Sequence, residues 1–187
     1  MNRRSVLAGV GLSVSSALVG CLVQSDEETN AETDGDIRRR ACSHAPDETD
    51  QVSHNVTRTR FHFLREQYAP LTLVTARDQL ESRIDPEQRE DGDVDTIFED
   101  IRFDEHVVLI WETSERITTD HVEFLGVARP NDEEFRAYGC NYRLGGGGQQ
   151  ETYYSFIITV SVDETLQRAE LRIQNEDGNT RTLTTEQ

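Results

Sequence analysis

The chain has 187 residues, enough for one domain of ordinary size, with 35% hydrophobic and 29% charged residues, so a lean core is expected. Acidic residues number 36 against 19 basic ones, a net charge of -17, and every basic residue is an arginine. No basic stripe is available to neutralise phosphates, so no nucleic-acid partner is expected.

At the N-terminus, Arg3 and Arg4 precede an uncharged run over 6–19, rich in Gly, Ala, Ser, Val and Leu. The run falls short of the roughly 20 apolar residues that span a bilayer and fits the apolar stretch of an export signal. Arg3-Arg4 with Leu7 resembles a twin-arginine signal, although Val6 and Asn2 stand where that pattern often has Phe and Ser or Thr. Leu18-Val19-Gly20-Cys21 resembles a lipobox. That resemblance implies a signal peptide over 1–20, cleavage after Gly20, and a lipid on the Cys21 sulfur. The chain would then be held at the extracytoplasmic face of the cell membrane. The rival reading keeps 1–20 as an uncleaved anchor; both place the domain outside the membrane.

Strong acidity without lysine resembles haloarchaeal proteins. Carboxylates hold water and cations at the surface, whereas the lysine stem adds apolar area that arginine uses better in paired contacts. At 1 M salt the Debye length is about 3 Å, so self-repulsion is screened; at low salt it opposes the compact state.

Residues 21–36 follow as the lipidated cysteine and an acidic tether. Over 24–36 the single small apolar residue cannot offset the entropy of ordering, so disorder is expected. Arg38, Arg39 and Arg40 are placed to pair with the domain's own carboxylates or to touch anionic head groups. With Cys21 lipidated, Cys42 and Cys140 remain. An extracytoplasmic compartment favours a disulfide between them; two buried thiols or a metal pair are the alternatives.

A single α+β domain is expected over 37–187. Residues 56–64 and 71–75 read as strands. Thr75 caps a short helix reaching Ile84, Asp85-Pro86 starts another, and Val94, Ile97, Phe98 and Ile101 recur at helical spacing. Residues 106–111 (His-Val-Val-Leu-Ile-Trp) form a continuous apolar run, the mark of a central strand. Beyond it, period-two alternation gives strands around Val122–Phe124, Tyr138–Leu144, Tyr154–Val162 and Ala169–Ile173. The four glycines 145–148 read as a hairpin turn, and Asp177-Gly178 as a type I′ turn. The sum is an antiparallel sheet, a C-terminal meander, packed against one or two short helices. The order of short helix, Ile101-Arg102-Phe103-Asp104, the apolar run and the meander looks like the C-terminal domain of PrcB-type protease-stability proteins, over about residues 71–174. That resemblance implies a fold only and carries over no functional residue.

No nucleophile elbow, phosphate loop or His-Glu-x-x-His motif occurs. His44, His54 and His62 near Cys42 match no zinc spacing, and His106 and His121 stand apart in sequence. The acidic run over 85–95 misses the EF-hand register, because Phe98 falls where the bidentate glutamate belongs. Asn55-Val56-Thr57 is a glycosylation sequon. No catalytic residue, metal ligand or cofactor is assigned. The expected role is a non-enzymatic binding or envelope-interaction module, meeting the membrane through the lipid at Cys21 and another envelope protein through its domain. The alternatives are a small solute- or metal-binding lipoprotein and an envelope hydrolase with an unrecognised site.

Overall fold

The uninterrupted apolar run over 107–111 is explained by a strand that is covered on both faces. In the computed structural model, which describes residues 32–47, 51–60, 62, 64, 70–89, 93–116, 119–145, 150–162, 166 and 168–185, Val107, Leu109 and Trp111 turn one way and Val108 and Ile110 the other. Each of these five residues is at most 3% exposed.

The elements in chain order are α1 (Asp34–Ala41), β1 (His54–Thr59), β2 (Leu71–Val74), α2 (Arg77–Arg83), α3 (Pro86–Arg89), α4 (Asp93–Glu99), β3 (His106–Arg116), β4 (Asp120–Asn131), β5 (Glu134–Arg143), β6 (Glu151–Ser161), β7 (Arg168–Asn175) and β8 (Thr180–Thr184). They make two four-stranded sheets, β1-β6-β3-β2 and β4-β5-β7-β8. The first is antiparallel throughout. In the second, β5 and β7 run parallel, with Phe135 beside Ala169 and Asn141 beside Asn175.

The class is α+β, but the expected single antiparallel meander is replaced by two sheets, one of them mixed. Alternation identifies a strand and its apolar face without naming its partner. Here β6 leaves β5 to pair with β3 and β1, and β7 returns to lie parallel to β5. The inner faces meet in one core, in which Trp111, Phe156 and Ile158 of the first sheet face Phe135, Ala137 and Leu171 of the second. On the outer face of the first sheet, Val74, Val108, Ile110 and Ile157 pack against Leu80, Ile84 and Phe98 of the helical segment.

Residues 34–36, read above as the end of the tether, instead form the first turn of α1. Its ends explain why so polar a segment is helical. The Thr33 hydroxyl accepts from Asp36 N at 3.3 Å, Asp34 and Asp36 occupy the first turn, and Arg38, Arg39 and Arg40 the last. Ala41 is fully buried against Cys140 and Tyr142 on the outer face of the second sheet. The arginines pair with the chain's own carboxylates: Arg38 with Glu123, Arg39 with Asp36, Arg40 with Glu32.

Thr75 lies before Ala76, the N-cap of α2, and reaches the helix through its N–H and hydroxyl, which donate to Gln79 Oε1 at 3.0 and 3.1 Å. Asp85 Oδ1 accepts from Glu87 N at 3.0 Å, securing the start of α3. The final hairpin is wider than a two-residue turn: Asn175 N donates to Asn179 O, and Gly178, at φ 80°, takes the left-handed position between them. Among the described residues no helix is long and apolar enough to cross a membrane.

Candidate functional site

At one end of the sandwich the inner faces stop being apolar. Along β3 the inward positions run Val107, Leu109, Trp111 and then Thr113; along β5, Phe135, Ala137, Gly139 and then Asn141; along β7, Ala169, Leu171, Ile173 and then Asn175. Arg181 of β8 pairs with Ile173 in register and continues the series. Inward strand positions filled with amides, a hydroxyl and a guanidinium cannot close into a dry core. The sheets enclose instead an open cleft of about 490 Å³. Its floor includes Trp111, Val122 and Ile173, and its walls carry Asn141, Asn175, Asn179 and Arg181.

Trp111 is 2% exposed and stacks on Phe156 at 4.8 Å with an interplanar angle of 19°. The charged groups of the wall are mostly engaged. Arg143 Nε donates to Asp120 Oδ1 at 2.9 Å, and Arg143 N to Glu176 Oε2 at 2.5 Å. The Asp120 hydrogen bond and charge hold the Arg143 guanidinium more firmly protonated than usual. Asn175 Oδ1 is taken up by the turn, accepting from Asp177 N and Asn179 N. Among the described residues, the side chains of Asn141, Asn179, Thr180 and Arg181 have no hydrogen-bond or ion-pair partner.

Two buried glutamates at the same end of β3 are satisfied internally. Glu115 accepts from Val122 N at 2.6 Å and pairs with Arg58 at 2.8 Å, and the Arg58 guanidinium lies 3.9 Å over the Tyr154 ring. Glu112 accepts from Leu64 N and from Ser155 Oγ, with His62 Nδ1 3.7 Å away. Sequence reasoning missed both glutamates and the cleft. The available signal was the abrupt change from 107–111 to Glu112, Thr113, Ser114 and Glu115 within one strand.

Cys42, just past α1, and Cys140 of β5 lie at disulfide distance, with Cα atoms 5.2 Å apart. With Glu123 they form the one group of metal-ligand types drawn together among the described residues, and in the disulfide neither sulfur is free to ligate. The histidines are spread across the fold. His44 contacts Arg172 O and the Tyr138 ring, His54 contacts Val52 O, His106 contacts Arg102 O, and His121 stacks on Tyr142. Asn55 lies on the edge strand β1 and is exposed. Arg3, Arg4, Leu7, Gly20 and Cys21 lie outside the described residues, as do Glu90, Asp91 and Gly92 of the acidic run and glycines 146–148.

No family model, curated protein or solved structure matches the chain.

Proposed function

We propose that this chain is an exported, lipid-anchored binding module of a high-salt cell envelope, with the cleft between its sheets as the ligand site. The observation that carries the binding role is the series of polar side chains at inward strand positions, where a sandwich without a ligand would place apolar ones. A cleft of this size suits a small solute rather than a protein surface. The address rests on the twin-arginine and lipobox resemblances at Arg3, Arg4, Leu7, Gly20 and Cys21, and the solvent on a net charge of -17 without lysine. The Asn55 sequon, exposed on β1, is open to glycosylation in that compartment. The PrcB-type resemblance adds no functional residue.

Two measurements test the two halves. Intact mass of the native chain recovered from membranes should show Cys21 as the first residue, carrying lipid; a cytosolic chain retaining Met1 would end the anchored reading. The chain has a single tryptophan, and it lies in the cleft floor. The low-molecular-weight fraction of envelope extracts should therefore shift its fluorescence saturably. Asn141→Tyr, which fills the cleft, should abolish the shift. A shift that survives this substitution would reject the cleft as the site.

A further inference from the structure

Resting on the cleft as a ligand site, we infer that its ligand is a small hydroxylated carboxylate, a sugar acid either free or at the end of a saccharide, with Arg181 as the partner of the carboxylate. The groups left open in the wall define the chemistry. Arg181 is the cleft arginine without a partner among the described residues, since Arg143 is tied to Asp120. A free guanidinium offers a planar fork of donors that matches a carboxylate. Beside it, the unbonded amides of Asn141 and Asn179 each supply both donors and an acceptor. Paired donors and acceptors of this kind suit vicinal hydroxyls, which are themselves donor and acceptor at once.

The same inventory bears on competing ligands. An amino acid or peptide terminus brings an ammonium, which needs a carboxylate acceptor. Of the cleft's acids, Asp120 is paired with the Arg143 guanidinium, and Glu176 accepts the Arg143 backbone N–H, so the L-alanine titration below decides this case. A flat aromatic ligand needs a stacking face, but Trp111 is 2% exposed and committed to Phe156. The net charge of -17 opposes an anion at long range. In molar salt that field is cut off within about 3 Å, leaving direct contact with Arg181 to decide.

The test uses the full chain in detergent at molar salt, titrated with D-glucuronate, D-glucose and L-alanine while Trp111 emission is followed. D-glucuronate should bind saturably and D-glucose about tenfold more weakly, as expected for loss of one charged hydrogen-bonded contact. Arg181→Gln should weaken D-glucuronate by about tenfold or more and leave D-glucose unchanged, with Arg181→Lys between the two. Arg181 is exposed on an edge strand, so circular dichroism should show both variants folded. Methyl β-D-glucuronide separates the sources: full affinity assigns a chain end, and lost affinity the free acid. Equal binding of glucose and glucuronate, or an Arg181→Gln variant with undiminished glucuronate affinity, would overturn the inference. A shift with L-alanine alone would remove the sugar acid while leaving the cleft as the site. Glucuronate binding that persists in Asn141→Tyr would reject cleft and ligand together.

Discussion

The Trp111 ring occupies the space that a side chain on Gly139 would need. A β-carbon there would meet Cη2 and Cζ3 of the indole at 2.8 Å and the Glu123 carbonyl at 3.3 Å. The ring cannot retreat, because Phe156 stacks against it. Gly139→Ala should therefore overpack the join between the sheets at a cost of about 1–3 kcal/mol. Thermal unfolding should fall by about 2–4 °C for each kcal/mol lost, and the emission of the sole tryptophan should change. An alanine variant as stable as the parent would show that the two sheets part more easily here than their packing implies.

A second prediction concerns α1. The helix is short and polar, and it is held to the second sheet by Ala41, by the Arg38–Glu123 pair and by the Cys42–Cys140 bridge. The bridged cysteines are 98 residues apart in sequence, so in the entropic account the bridge contributes at most about 4.7 kcal/mol, and about 2–4 is typical. Cys42→Ser should lower the melting temperature, and hydrogen exchange should rise in α1 before it rises in β3 or β6. Finding two free thiols in the native protein by mass spectrometry would refute the bridge.

The strands were legible because burial follows parity. The apolar alternation of β6 and β7 and the double-faced run of β3 can be read straight from the chain. Sheet membership was not legible. β5 and β6 follow one another in the chain, yet they belong to opposite sheets, and Phe135 and Ala137 of β5 face Phe156 and Ile158 of β6 across the core, while Cys140, Tyr142 and Leu144 lie on the outer face. Helix α1 was missed because its stability comes from Thr33, the charges at its two ends and the Cys42 link rather than from an apolar stripe. The cleft was invisible for a related reason. Asn141, Asn175 and Arg181 are ordinary surface residue types, and only the register of three strands shows that they continue the core positions of Ala137, Leu171 and Ile173.

The charge balance gives a third prediction. With 36 acidic residues against 19 arginines, the carboxylates outnumber their cationic partners by 17, and their mutual repulsion grows as screening is withdrawn. Circular dichroism of the full chain should show the strand signal lost on dialysis from molar KCl to low salt and regained on return. A spectrum unchanged down to tens of millimolar would remove the halophilic reading.

The last prediction concerns pH and turns on Glu123. Its carboxylate accepts from Arg38 Nε and Nη2, both at 2.8 Å, and from the Tyr142 hydroxyl. The Arg38 hydrogen bonds, outweighing the opposing effect of burial, hold the Glu123 carboxyl below the usual glutamate range. A carboxylate depressed in the folded state contributes stability above its unfolded value, about 4.3, and that contribution is lost as pH falls through the lower folded value. Stability should therefore decline on acidification below about pH 4.3, with a shallow slope because Arg38 is largely exposed. Glu123→Gln should flatten this part of the curve. On the alkaline side, burial first and the Glu123 hydrogen bond second push the Tyr142 hydroxyl up to about 12. Its contribution is whole below the free tyrosine value, about 10, and is lost as pH rises through the folded value. A phenolate absorbance titration should thus show one of the five tyrosines ionising late, and Glu123→Gln should bring that step down. If the late step stays in place in Glu123→Gln while the acid limb flattens, the carboxylate supports α1 but does not set the state of Tyr142.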